Sequence, residues 1–170
     1  MRPHGAEVDP RRQATCYIAV VGPGAASAAE VDAAEAVGAG LAGRGVTVIT
    51  GGLGGVMAAA SRGAVRAGGT TVGLLPGGDR AEANPWVQIA IATGLGELRN
   101  GLVVRAVDAM IAIGGAFGTL SEVALGLKIG VPVVGLKTWA IDGIEVADDA
   151  EEAVRLVCRS ALRAPRGPAR

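Results

Sequence analysis

Short apolar runs alternate along the chain with segments in which apolar residues recur every three or four positions, and glycines mark most of the joins. Tyr17–Val21 is such a run and stops at Gly22-Pro23-Gly24. Ser27-Ala28-Ala29-Glu30 has the form of a capping box, after which Val31, Ala34, Val37, Gly38 and Leu41 trace one helix face, ended by Gly43 and Gly45. Residues 46–49 predict a second strand running into Thr50-Gly51-Gly52-Leu53-Gly54-Gly55-Val56-Met57, then a small-residue helix to about Ala67. A third strand is expected at 71–75, ending at Pro76-Gly77-Gly78, with a polar loop or lid over 79–87. Residues 88–93 predict a fourth strand, and Gly94-Leu95-Gly96 turns into a helix over 97–106.

The fifth run, 109–113, breaks on Gly114, Gly115 and Gly118, and helical spacing restarts at Leu120. Leu120, Val123, Ala124 and Leu127 recur at i, i+3, i+4 and i+7, so they are expected to form the buried face of a helix reaching Ile129. A sixth strand at 133–136, a weak strand near 144–146 and a helix from 149 to about 162 complete the series. Strand–helix alternation with short connections specifies an α/β fold: a doubly wound parallel sheet, Rossmann-like, in three αβα layers. The expected organisation is a single domain over 16–163 between tails at 1–15 and 164–170. In such sheets ligands bind beyond the carboxyl ends of the strands, where the strand order reverses, and every Gly-rich turn here follows a strand.

Composition narrows the function classes. The chain has 170 residues, 50% of them apolar and 19% charged, which suits one globular domain. Sixteen basic and sixteen acidic residues cancel, against nucleic acid as a partner. No run of 18 apolar residues and no secretory pattern occurs, so no membrane association and a cytoplasmic location are expected, with Cys16 and Cys158 as free thiols. Aromatics are only 2% of the chain, so the core is built from Val, Ile, Leu and Ala. A monomer of this kind buries modest apolar area, and a homodimer or homotetramer is expected.

The turn from Gly114 to Thr119 carries the chemistry. Backbone N–H groups at a helix start, with the helix dipole behind them, bind phosphate without a basic side chain. Gly22-Pro23-Gly24-Ala25-Ala26-Ser27 lacks the third glycine of the dinucleotide fingerprint, and Thr50 stands where a ribose-binding acid belongs, against NAD(P). No P-loop occurs, and the single histidine, His4, lies in the tail, so no metal and no cofactor are expected. The polar candidates are Arg99, Asn100, Arg105, Thr119, Ser121, Glu122, Asp79, Arg80 and Lys137. Glu122 has two readings: a group facing the ligand, or the last residue of a capping box with Thr119 as N-cap. Arg99 is likewise a ligand group, a surface arginine, or the partner of Glu97 or another acidic group. The expected ligand edge comprises Gly22, Gly24, Thr50, Gly51, Gly52, Gly54, Gly55, Met57, Pro76, Asn100, Gly114, Gly115, Phe117, Gly118 and Thr119.

From about Tyr17 to Trp139 the chain resembles the Lonely Guy superfamily of cytokinin-activating phosphoribohydrolases, once labelled lysine decarboxylases. Residues 50–57 resemble its GGGxxGLM segment, and Gly114 to Glu122 resemble its PGGxGTxxE signature, with Ile113 in place of the Pro and one extra residue before Gly118. Arg99-Asn100 falls where that family has Arg-Lys, so the resemblance implies that Arg99 and Glu122 stand at its catalytic positions. With Asn100 in place of Lys, and with the altered glycine turn, the chain is closer to a branch resembling molybdenum cofactor carrier proteins, which bind a phosphorylated pterin.

Two functions follow as expectations, both with a phosphorylated small molecule as partner. One is hydrolysis of the N-glycosidic bond of a nucleoside 5′-monophosphate, with Glu122 stabilising oxocarbenium character on the ribose. Arg99, which keeps its proton, would then fix phosphate or stabilise the departing base. The other is a non-catalytic carrier or sensor of a phosphorylated pterin or nucleotide.

Overall fold

The computed structural model describes residues 16–163, so the expected tails at 1–15 and 164–170 lie outside the described residues. Seven strands are present: β1 (Tyr17–Val21), β2 (Thr47–Thr50), β3 (Thr71–Leu75), β4 (Ile89–Ala92), β5 (Ala109–Ile113), β6 (Val133–Leu136) and β7 (Ile144–Ala147). Five helices join them: α1 (Ala28–Ala42), α2 (Val56–Arg66), α3 (Asn100–Arg105), α4 (Phe117–Ile129) and α5 (Ala150–Arg163). Short 3-10 turns occupy Arg80–Glu82 and Gly96–Arg99.

All strands pair in parallel, in the order β4-β3-β2-β1-β5-β6-β7. The order reverses between β1 and β5, whose register sets Ile18 beside Ala109 and Val21 beside Ala112. Every residue of β5 is buried, as expected where helices cover both faces of a parallel sheet. Ile18, Val20, Ile111 and Ile113 meet α1, α2 and α5 on one face. Ala19, Val21, Met110 and Ala112 meet α3 and α4 on the other. The doubly wound, three-layer arrangement read from the alternation of elements is the observed one.

The capping box at α1 forms as its residues predict. Glu30 N donates to Ser27 Oγ at 3.3 Å, and Ser27 N donates to the Glu30 carboxylate at 2.7 Å. Residues Ala34, Val37, Gly38 and Leu41 are buried, the expected face, with Val31 partly covered. Helix α2 lies very close to α1. A Cβ on Gly38 would fall on the carbonyl oxygen of Ala60, and one on Gly63 on the carbonyl oxygen of Glu35. The pair is tied outside by Glu35, which binds Arg62 at 2.6 Å and Arg66 at 2.7 Å.

Helix α4 departs from expectation in a way that matters for the site. It starts at Phe117, three residues before Leu120, and its buried residues are Thr119, Glu122, Val123 and Gly126. Ala124 is exposed, while Leu120 and Leu127 are only partly covered, so the predicted stripe is rotated by about one position. Gly126 is the cause: a Cβ there would stand 3.0 Å from the Met110 sulfur and 3.2 Å from Val133 Cγ2. The bare backbone draws that side of α4 onto β5 and β6 and turns Glu122 inward.

Gly38→Ala therefore destabilises the protein by about 1–3 kcal/mol, despite the higher helix propensity of Ala, because two helix backbones must part. Gly43→Ala, at a φ of −60° and with no atom nearer than 3.5 Å, leaves stability unchanged or slightly raised. Urea unfolding of both variants checks the contrast.

Candidate functional site

The turns that follow β1, β2 and β5 interlock at the point where the strand order reverses. Gly22 lies against β5, where a Cβ would stand 2.6 Å from the Ile113 carbonyl oxygen. Gly55 has a φ of +60°, and a side chain there would fall on the Pro23 carbonyl, which accepts from Val56 N at 3.1 Å. Thr50 is fully buried and its hydroxyl accepts from Gly52 N at 3.1 Å, which holds the turn after β2. Asn84, in the β3–β4 loop, donates to the Gly52 and Leu53 carbonyls at 3.1 and 2.9 Å, so this loop is pinned to the same turn.

In the turn after β5 the Gly114 amide donates to Leu136 O at 3.1 Å, and the amides that follow lead into α4. Gly114 takes a φ of +59°, with the Glu30 side chain packed where a Cβ would be. Ala116 caps α4 without any side-chain hydrogen bond, and Leu120 N makes the first helical bond, to Ala116 O at 2.9 Å. The amides of Phe117, Gly118 and Thr119 precede that bond, as the first N–H groups of any helix do. Asn100 Nδ2 donates to Ser121 Oγ at 3.0 Å, and Ser121 Oγ donates to Gly118 O at 2.7 Å. This relay clamps the start of α3 to the first turn of α4.

Arg99 and Glu122 meet between these elements. They are 8% and 6% exposed, and Nη1 stands 3.8 Å from Oε1. Neither side chain makes a hydrogen bond among the described residues, and Arg99 Nε is buried without a partner. The guanidinium packs on Gly51, beside the Met57 sulfur. Of the two readings of Glu122, the capping box is not formed: α4 begins before Thr119, so Thr119 is an interior helical residue and cannot be the N-cap. Of the readings of Arg99, the surface arginine is overturned by its burial, while pairing with an acidic group is met by Glu122 at 3.8 Å. Burial pushes the Glu122 carboxyl up to about 7, with Arg99 opposing. Burial also lowers Arg99 from its ordinary value, against the pull of Glu122 and Glu97. Two buried ionisable groups held at van der Waals range without hydrogen bonds cost stability, and such pairs are characteristic of binding and catalytic sites.

Gly22, Thr50, Gly51, Gly52, Gly55, Met57, Asn100, Gly114, Gly118 and Thr119 lie, like Arg99 and Glu122, in the turns and helix starts at the carboxyl edge of the sheet. Pro76 O accepts from Gly96 N at 3.0 Å and so steadies the segment bearing Arg99. Gly24 has open space around it, Gly54 is exposed, and Phe117 is 92% exposed. Asp79 caps the 3-10 turn through Ala81 N at 2.8 Å, while Arg80 and Arg105 face solvent. Trp139 was not among the expected residues. Its ring lies against Gly115, and the only sequence signal for it was its rarity in a chain with two tryptophans.

Native Glu122 keeps its proton to about pH 7, whereas an ordinary carboxyl loses it near 4.5. Between those values the native state binds the extra proton, so stability falls as pH rises through this window. Glu122→Gln, which does not titrate, gains on the wild type by on the order of 2 kcal/mol between pH of about 5 and about 8. Urea unfolding across that range measures it, and parallel pH profiles would contradict the assignment.

Comparison with known proteins places the chain in a family. The SLOG cluster4 family profile matches residues 15–162. An uncharacterized protein of Archaeoglobus fulgidus is 40% identical over 147 residues, spanning 86% of this chain and 97% of that protein. Among solved structures, the molybdenum cofactor binding protein of the phototrophic bacterium Rippkaea orientalis superposes with a TM-score of 0.82 at 35% identity, covering 86% of this chain and 98% of its own. The molybdenum cofactor carrier protein of Chlamydomonas reinhardtii gives 0.80, also at 35% identity, over 87% of this chain and 99% of its own. The chain belongs to the SLOG cluster4 family of the LOG-like superfamily.

Proposed function

We propose that this protein binds a phosphorylated pterin or nucleotide-like molecule at the carboxyl edge of its sheet, and holds it as a carrier. The observation that supports this most is the open N-terminus of α4 at the reversal of strand order, with interlocked glycine turns on its flank. Phosphate would sit on the amides of residues 117–119, where the dipole and the free N–H groups act together. The named molybdenum cofactor proteins among its structural relatives favour a pterin, and neutral Asn100 beside the turn suits holding in place of turnover. A second copy is the natural cover for Leu98 and Phe117, 79% and 92% exposed, which supports a homo-oligomer.

One observation favours a catalytic reading alongside it. Glu122 and Arg99 are buried together with spare hydrogen-bonding capacity, as a site for N-glycosidic cleavage of a nucleoside 5′-monophosphate requires. Near pH 7 the carboxyl exchanges its proton readily, so it can stabilise an oxocarbenium ion when ionised or protonate a departing base when neutral.

Gly118 offers a direct test of the phosphate seat, since a Cβ there meets nothing nearer than 3.8 Å. Gly118→Asp folds normally and weakens binding of a nucleoside monophosphate at least about tenfold by charge repulsion, as measured by calorimetry. Unchanged affinity would remove the turn from the binding site. For the carrier, heat-released ligand is a fluorescent pterin that survives long incubation with the protein unaltered. For the hydrolase, AMP yields free adenine with wild type and none with Glu122→Gln. Release by both, or by neither at high protein concentration, discards the catalytic reading.

A further inference from the structure

A concavity opens on the far side of the turn after β5 from Arg99 and Glu122. It has a volume of about 320 Å3 and lies at the carboxyl ends of β6 and β7, with Lys137, Thr138, Trp139 and Asp148 in its wall. An adjoining concavity of about 290 Å3 shares Lys137 and Asp148 and adds Asp32 and Asp149. Trp139 joins this region to the turn, because its six-membered ring edge packs on Gly115 at a point where any Cβ would collide with it. The chain reaches that position through Lys137, whose φ of +54° is the one left-handed backbone among non-glycine residues described. Such a conformation persists only where its surroundings impose it, and it is frequent at ligand sites.

The polar side chains of this wall lack hydrogen-bond partners among the described residues, and the Glu30 carboxyl, lowered by its Ser27 hydrogen bonds, lies near enough for the Lys137 charge to lower it further. Lys137 makes no ion pair or hydrogen bond among the described residues, nor does the Asp148 carboxylate. Thr138 Oγ1 is buried and has no partner. Neighbouring Asp149, by contrast, is spent on its own helix, where its carboxylate accepts from Glu152 N at 2.8 Å. A donor cation, an acceptor carboxylate and an unsatisfied hydroxyl thus line a cavity beside an indole. Three carboxylates, Asp32, Asp148 and Asp149, outnumber Lys137 across the two concavities, which disfavours a second phosphate there. The complementary guest is flat and uncharged, with adjacent N–H donors for a carboxylate and a carbonyl for an ammonium group. The 2-amino-4-oxopyrimidine ring shared by guanine and pterins has both, whereas adenine lacks the paired donors and the carbonyl.

We propose that Trp139, Lys137, Thr138 and Asp148 form a ring-binding subsite for a 2-amino-4-oxopyrimidine, reached across Gly115 from the phosphate seated on α4. The ring stacks on Trp139, its amino and ring N–H groups meet Asp148, and its carbonyl meets Lys137. This inference rests on the phosphate-binding reading of the turn.

Calorimetry with GMP, neopterin monophosphate, AMP and ribose 5-phosphate tests it on the full chain. Wild type binds GMP, neopterin monophosphate or both about tenfold more tightly than AMP, and which of the two wins identifies the source of the ring. Trp139→Ala weakens the preferred ligand about tenfold, leaves ribose 5-phosphate unchanged, and Trp139→Phe restores most of the loss. Asp148→Asn abolishes the preference over AMP. Equal binding of GMP, neopterin monophosphate and AMP, or indifference to Trp139→Ala with ribose 5-phosphate still bound, overturns the subsite and spares the phosphate seat. Failure of wild type to bind any of the four compounds overturns both.

Discussion

Backbone must touch backbone for the turns at this sheet edge to interlock. The turn after β5 reaches the turn after β1 because Gly22 carries no side chain between Ile113 and Val56, and the turn after β2 nests under Pro23 because Gly55 adopts a positive φ. A methyl group at either position would wedge the turns apart and lift the first amides of α4 away from the sheet. Close approach thus fixes the first N–H groups of α4 beside the sheet, with the helix dipole behind them. The same economy runs through the body of the domain, where α1 and α2 meet at Gly38 and Gly63.

Against that rigid frame the Arg99–Glu122 pair is a liability to the folded state. Each is nearly withdrawn from water, and the 3.8 Å between them forgoes the hydrogen bonds that would offset desolvation. A pair serving stability would close that gap, as Glu35 and Arg62 do at 2.6 Å on the outer surface. Arg99 is held at its place by contact with Gly51, by the 3-10 turn Gly96–Arg99 and by the bond between Gly96 N and Pro76 O. Glu122 is held by the roll of α4 over Gly126. Positioning from several directions, with polar capacity left over, is the arrangement expected of groups that wait for a ligand.

The turn after β5 stands between two chemically unlike flanks. Toward β2 lie the buried Arg99 and Glu122 with the Met57 sulfur; toward β6 lie an indole, an ammonium group and an unpaired carboxylate. A phosphate at the centre would let one ligand engage both. Leu98, Leu102 and Phe117 remain exposed, in contrast to the buried pair.

Alternation of apolar runs with amphipathic segments determined the parallel three-layer fold, because each element had to bury a face and short crossovers permit few ways to do so. Glycines after strands marked the turns at the carboxyl edge of the sheet, and Ser27-Ala28-Ala29-Glu30 marked the start of α1, since both are local backbone requirements written in adjacent residues. The state of Glu122 was not legible. Thr119-Leu120-Ser121-Glu122 satisfies the local rule for a capping box, and periodicity placed Leu120 and Ala124 on the buried face. Packing overrode both: Gly126 lets α4 settle on Met110 and Val133, helix formation starts at Phe117, and the carboxylate turns toward Arg99, 23 positions earlier in the chain. Trp139 against Gly115 was invisible for the same reason. Local sequence fixes what a segment can form by itself, but which side chains of two distant segments meet depends on how their backbones pack, and only the assembled tertiary structure decides that.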